Sequence, residues 1–431
     1  VCFLFSKGLE QNGNFCATRG AAKSSFALKI HSYAVNSRNA AGAAMITEIG
    51  PGKRPCRKLF AVVTLPRGTV PAKVNMKTTP LFDEHKTLNA KFTEFAGYNM
   101  PVSYGAVKDE VTAVRTACGM FDVSHMLPIF LRADSHEKLT RALDRVCVRQ
   151  TGKLKPGKAQ YNALYNEAAG LVDDVTISSI SETHFTLVAN AGNRDAVVAH
   201  LQKYCGNDIQ IEPWSDYTLI AVQGPKAADF LAKRFKFLSE LFYYEVKLAA
   251  PKLFIGRMGY TGEDGFEIAC SAADGVSLWR ELVAAGVKPC GLASRDVLRL
   301  EALMPLYGHE LSVELRPQES GIAFIYQDHD CIAAREMREK PVAQTTCGFH
   351  LTSEGVPRQG YKVVTTDGAA VGEVTSGTFS FTKNYGMGMM RIALASKSEP
   401  LFIDIRGERK PLQVLEKSPL TTSVRRRPKT A

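Results

Sequence analysis

A chain of 431 residues with 45% apolar and 23% charged content is long enough for two or three domains with buried cores, which excludes a disordered or fibrous protein. The net charge of +11 suggests a nucleic-acid partner until it is divided along the chain. Residues 1–76 hold eleven Lys/Arg against two acids, leaving only +2 for everything after them, so the basic balance is largely a property of this leader and is weak evidence for nucleic acid.

The basic leader, residues 1–76, is rich in Arg, Lys, Ser and Ala and poor in acids. That is the composition of an organelle-targeting segment, read here as mitochondrial, with a plain disordered tail as the alternative. Its stretch "AAKSSFALKIHSYAV" can form a short amphipathic helix. Globular structure is expected from about residue 77. Thr79-Pro80 opens a helix with Leu81, His85 and Leu88 at helical spacing, and Val107 to Cys118 reads as another. Between them "FAGYNMPVSY", broken by Gly97 and Pro101, reads as a loop or short edge strand.

From Ala159 to Asn190 the pattern is a β-meander, followed by the helix "NRDAVVAHLQKYCG". In its middle strand, "GLVDDVTI", adjacent Asp173 and Asp174 interrupt an apolar run. Adjacent positions face opposite sides of a strand, so at least one carboxylate approaches the buried side or a cleft, unless the strand is a wet edge or bulge. A buried carboxylate needs a donor, a cation or a raised pKa.

A second strand pair, "KLFIGRMGY" and "GFEIAC", flanks "GYTGEDGFEI" (259–268) and leads into the helix "DGVSLWRELVAAG". Gly262 and Gly265 supply the freedom a sharp reversal needs, so Glu263 and Asp264 are expected at an exposed turn tip. Glu267 lies between Phe266 and Ile268, and alternation sends it to the opposite face, either solvated or toward a ligand. In "CGLASRDVLRLEALMPLYGHEL", Ser294 is expected as N-cap of a helix with Val297, Leu300 and Met304 inward. Arg295 and Arg299 share another face, either clamping a carboxylate or heteroaromatic ring or forming surface ion pairs with Asp296 or Glu301.

Beyond about residue 345, short strands with Gly and Asp-Gly turns imply a small antiparallel barrel, and the tail "SVRRRPKTA" reads as a solvated terminus. Strands mixed with helices, without regular alternation, make the class α+β. No run of about 18 apolar residues occurs, so no membrane-spanning helix is expected. Ten cysteines without a C-x-x-C pair and nine histidines without H-E-x-x-H spacing give no support to a metal site and suggest reduced thiols.

"FAGYNMPVSY", "FDVSHM", "GLVDD", "VQGP", "GYTGEDGFEI", "SRDVLRLEA", "LYG" and "VTSG", in this order, resemble the aminomethyltransferase, or T-protein, family of the glycine cleavage system, from about residue 78 to the C-terminal barrel. The resemblance implies a three-domain fold around tetrahydrofolate as co-substrate. It divides the chain into the leader 1–76, a folate-binding region 77–345 of two interleaved α+β domains, and the barrel and tail 346–431. The implied reaction takes an aminomethyl group from the dihydrolipoyl arm of a lipoylated H-protein, releases ammonia and yields 5,10-methylenetetrahydrofolate, in the mitochondrial matrix. No metal is implied. By similarity Asp174 is the critical carboxylate, with Asp173 beside it. Glu267 and Arg295 are folate contacts, Tyr161, Asn190 and Tyr260 line the cavity, and Arg425 is a further folate contact. The departures are Met304, where many relatives have an aromatic, and "PQESGIAFIYQDHDCIAAREM", a weak match.

A folate-dependent demethylase of a small methylated donor, or a folate-binding accessory protein, would share this architecture. The flavin-linked relatives would carry an upstream G-x-G-x-x-G domain, and "GMGMMR" lacks the third glycine. Accessory relatives carry a Lys-Gly-Cys-Tyr type motif where this chain reads "LRPQESG".

Overall fold

The computed structural model describes residues 15–16, 27–32, 44–49 and 76–428, in two compact units, 1–75 and 76–431. In the first unit, strands Phe15–Cys16, Ala27–Ser32 and Ala44–Ile49 pair antiparallel. Residues 27–32 are therefore extended where an amphipathic helix was expected, and the rest of that stretch lies outside the described residues.

The second unit opens with helix Phe82–Thr87 and a hairpin of Lys91–Phe95 and Tyr98–Ser103. The segment read as a loop or edge strand is one arm of this ribbon. Helix Val107–Thr116 follows.

Five antiparallel strands form the first sheet, in the order Gln210–Pro213, Leu127–Arg132, His184–Ala189, Leu171–Ser181 and Ala159–Tyr165. In Leu171–Ser181 the residues Leu171, Asp173, Val175 and Ile177 are buried. The two-residue period therefore turns Asp174 to the other face. The second sheet runs Glu245–Ala250, Leu253–Arg257, Gly265–Cys270, Thr218–Gln223, Gly119–Asp122 and Lys288–Pro289, with only the last pair parallel. Ile220, Val222, Phe266 and Ile268 pack with Leu278, Trp279 and Leu282 of helix Ala272–Ala284. Glu267 pairs across to Ala221 and Gly256 and shares their face, opposite that core. The sheets meet edge to edge, where Ala159 N donates to the Tyr244 carbonyl at 2.8 Å and Val246 N to that of Gly157 at 2.9 Å.

Six strands between Gln344 and Leu415 close into an antiparallel barrel around Phe349, Val363, Met390 and Ile403. Helix Leu292–Glu301 joins the sheets to it. The N-cap of this helix is Gly291, not Ser294. Ser294 is buried inside the first turn and donates to Glu110 Oε2 at 2.7 Å, which also accepts from Gly291 N at 2.9 Å. A carboxylate from a distant helix thus does the capping that the local hydroxyl was expected to do. A Cβ on Gly291 would stand 2.4 Å from the Val102 backbone. Gly291→Ala is therefore expected to cost about 1–3 kcal/mol by overpacking, read from urea unfolding midpoints. Leu303, with φ of 55°, turns the chain after the helix ends at Glu301, so Met304 falls outside the inward stripe.

The turn 259–265 also differs from expectation. Gly262 reverses the chain at φ 80°, but Glu263 and Asp264 are only 7% and 6% exposed. Arg115 pairs with Glu263 at 3.1 Å, and Arg257 Nε donates to Asp264 at 2.9 Å. Thr422 Oγ1 closes over from the C-terminus, donating to the Gly262 carbonyl at 2.7 Å. Glycines mark the reversal, while the chain covering it comes from remote sequence. The basic tail is likewise docked rather than simply solvated. Arg425 and Arg426 lie over the rings of Phe242 and Tyr243, and Arg427 Nε donates to Glu245 at 2.8 Å.

Candidate active site

Tyr161, Asp174, Asn190, Tyr260, Glu267 and Arg295 are each only partly buried, whereas their strand and helix neighbours are largely buried. Such alternation is shared by any solvent-facing side of a strand, and what brings these side chains to one recess is the reach of the Asp174, Arg295 and Arg299 charges to Tyr260. Asp174 accepts from the Tyr161 hydroxyl at 2.9 Å and from Asn190 Nδ2 at 2.8 Å. On the opposite face of the strand Asp173 accepts from Asn190 N at 2.8 Å, Asn190 Nδ2 at 2.9 Å and Asn193 Nδ2 at 2.7 Å. Asn190 Nδ2 therefore bridges the two acids.

Burial pushes both carboxyls above their ordinary range, and the charge of Asp174 raises Asp173 further. The hydrogen bonds from Asn190, Asn193 and Tyr161 oppose this only in part. All of these donors are neutral, so no cation among them offsets the charge of Asp174 when it is ionised.

The other wall comes from the second sheet and helix Leu292–Glu301. The Arg295 guanidinium lies 5.0 Å from the centroid of the Tyr260 ring, and the Tyr260 hydroxyl donates to the Pro305 carbonyl. The charges of Arg299, Asp174 and Arg295 all reach the Tyr260 hydroxyl, and Asp174, Tyr260 and Tyr244 reach that of Tyr161. The two walls thus share one electrostatic environment. Burial raises Glu267 and lowers Arg295, each offset only partly by the other. Arg295 Nη1 is buried without a partner. Arg299 is different: it is satisfied by Asp296 at 2.8 Å, Glu310 at 3.1 Å and Ser376 at 2.8 Å. An underpartnered acid and an underpartnered guanidinium facing one recess suit a flat ligand with both donors and acceptors on its edge.

Among the described residues no group of three or more His, Cys, Asp or Glu is placed to hold a metal. Burial pushes the Cys118, Cys205 and Cys270 thiols up to about 12, which is unsuited to a nucleophile.

The GCVT N-terminal domain matches residues 81–328, and the glycine cleavage T-protein C-terminal barrel domain matches residues 344–420. The chain belongs to the glycine cleavage T-protein family. It is 39% identical to the aminomethyltransferase of Leptospira biflexa, over 78% of this chain and 95% of that one. It is 41% identical to that of Aquifex aeolicus, over 77% and 92%. The crystal structure of glycine cleavage system aminomethyltransferase T from Bartonella henselae superimposes with a TM-score of 0.75 at 32% identity, covering 80% of this chain and 98% of that one. This T-protein is thus an aminomethyltransferase of the glycine cleavage system, with the mixed fold and C-terminal barrel expected of it.

Of the positions singled out in the T-protein sequence, Asp173 is buried on the far side of its strand and Arg425 is directed elsewhere. Arg425 is exposed and donates to the Ser239 carbonyl at 2.8 Å. Three residues near the recess were not singled out. His125, in "FDVSHM", is 4% exposed with Nδ1 unpartnered. Burial pushes it down to about 4, with the Arg295 and Arg194 charges working the same way against Asp122, so its ring is neutral near pH 7. Tyr244 stands at φ 61°, and its hydroxyl feels Glu267. Phe324 is 77% exposed and stacks on Tyr161 at 6.2 Å. A histidine directly ahead of the apolar stretch "MLPIFL" was a readable signal for the first. Nothing local in the sequence marks the other two.

Proposed function

We propose that the recess binds tetrahydrofolate and receives the aminomethyl group from the dihydrolipoyl arm of a lipoylated H-protein. Ammonia leaves, the one-carbon unit passes to folate nitrogen, and dihydrolipoyl carrier and 5,10-methylenetetrahydrofolate are released. The observation that carries this reading is the underpartnered pair of Glu267 and Arg295 on the same recess as Asp174. A reduced pterin offers a 2-amino group and ring N–H donors to a carboxylate and a carbonyl oxygen to a guanidinium. In this assignment Glu267 and Arg295 hold the pterin edge, and Tyr161, Asn190 and Tyr260 shape the recess. Asp174 orients the folate amine and supports the iminium-like carbon as ammonia departs.

The test is ammonia release by the full chain from aminomethylated H-protein with tetrahydrofolate. A rate no greater than that of the carrier alone would reject the proposal. Glu267→Gln and Arg295→Lys are expected to raise KM for tetrahydrofolate by about tenfold with a smaller change in kcat, the pattern of lost ground-state binding. Because burial raises the Asp174 carboxyl, turnover is expected to fall on acidification at a pH above the ~3.9 of a free aspartate. The pH-rate profile of kcat measures this limb.

We also assign residues 1–76 to mitochondrial targeting, residues 77–345 to the folate-binding region and residues 346–431 to the barrel and tail. The basic leader lies outside the matched domains, which begin at residue 81. A fusion of residues 1–76 to a reporter that fails to enter mitochondria would remove the targeting assignment.

A further inference from the structure

A half-enclosed cavity of about 330 Å³ lies between the barrel and residues 308–315, lined in part by His309, Ser312, Gln359, Glu373, Thr375 and Arg391. None of the six residues placed on the active-site recess lines it. Two of its polar atoms have no partner: Arg391 Nε and the hydroxyl of Thr375, a residue only 2% exposed.

The reason is a fault in the strand ladder. Glu373 pairs with Arg391, Val374 with Met390 and Ser376 with Met389, which leaves Thr375 as the extra residue of a bulge. Arg391 is held by its Nη2, which donates to the carbonyls of His309 at 2.9 Å and Glu310 at 3.2 Å. Its nearby acids are committed elsewhere. Glu373 pairs with Lys362 at 3.2 Å, Glu310 with Arg299 at 3.1 Å and Glu319 with Arg316 at 3.2 Å. Burial lowers Arg391, and Glu310, Glu373 and Glu319 only partly restore it. A half-buried guanidinium whose Nε has no partner leaves a charged donor free for an anion of the right size.

We propose that this cavity binds a small organic monocarboxylate, whose oxygens accept from Arg391 Nε and the Thr375 hydroxyl. Ser312 and Gln359 can serve a further hydroxyl or carbonyl of the ligand. The Glu373 carboxylate on the rim disfavours a dianion such as phosphate. The carboxylate could be a free metabolite or the glutamyl end of the folate co-substrate.

The full chain titrated with acetate and glycolate in a calorimeter is expected to bind saturably, with dissociation constants on the order of 0.1–1 mM for ligands this small. Methylammonium is expected not to bind. Arg391→Lys, which keeps the charge but loses the planar fork, is expected to weaken glycolate by about tenfold. Thr375→Val is expected to weaken it about threefold while leaving the unliganded protein at least as stable, since an unpartnered buried hydroxyl is removed. Repeating the titration with saturating tetrahydrofolate separates the two sources. Abolished binding assigns the cavity to the glutamyl carboxylate, and unchanged binding to a free carboxylate. Only this arm rests on the folate assignment. Non-saturable binding, or equal affinity in Thr375→Val and the parent chain, overturns the proposal.

Discussion

Asp174→Asn is expected to lower kcat by about two to three orders of magnitude, the size seen when one preorganised group facing developing charge is removed. Asparagine keeps the shape and an acceptor for the Tyr161 hydroxyl, so tetrahydrofolate affinity should hold within about threefold. Stability should move the other way. Burial raises the Asp174 carboxyl above its unfolded value. The stability linked to such a group is fully present below the unfolded value of ~3.9 and is lost as pH rises through the folded value. Removing the charge should therefore leave the thermal midpoint at pH 8 unchanged or higher, with the difference shrinking toward pH 4. Single-turnover ammonia release and calorimetry across this pH range give the two readouts. Full turnover in the variant would leave Asp174 without the role assigned to it.

Arg115→Met is expected to destabilise the protein by about 3–5 kcal/mol, because it strands buried carboxylates without their cation. The Arg115 guanidinium donates to Glu301 Oε2 from Nε at 3.0 Å and from Nη2 at 2.8 Å. Its Nη1 donates to Glu263 at 3.1 Å and to the Thr261 carbonyl at 2.6 Å. Glu301 has no solvent exposure and also accepts from Ser380 at 2.7 Å and Thr382 at 2.9 Å in the barrel. One cation thus ties helix Val107–Thr116, the 259–265 turn and helix Leu292–Glu301, and through Glu301 the barrel. Adding Glu301→Gln to Arg115→Met should recover part of the loss, since one of the two stranded charges is neutralised. Denaturant unfolding of the single and double variants decides this, and additive losses would count against a shared network.

The contrast between these two sites shows what could be read from the chain itself. Asp173 and Asp174 were conspicuous because strand alternation leaves adjacent acids no common face. The strand does bury Asp173 among Leu171, Val175 and Ile177 and turns Asp174 away. The strands and helices around them follow local periodicity closely. Glu263 and Asp264 were misread for an equally physical reason. Glycine reports the bend of a turn but not what lies over it, and their partners include Arg115, nearly 150 residues upstream, and Ser423 near the C-terminus. Ser294 misled in the same way, since its hydroxyl reaches Glu110 and the Gly291 carbonyl and caps no backbone N–H of its own helix. His125 was legible in principle. Tyr244 was not, because its place beside Glu267 arises only where the two sheets touch.

That contact, Ala159 to Tyr244 and Val246 to Gly157, has a mechanical consequence. Asp174 and Glu267, proposed to face the reacting carbon and to grip the pterin edge, belong to separate sheets stitched by main-chain bonds. The span between them is therefore set by a peptide seam, whose dimensions do not depend on side-chain identity. Ordinary drift in the hydrophobic filling can proceed on either side of that stitch without altering the gauge of the pocket.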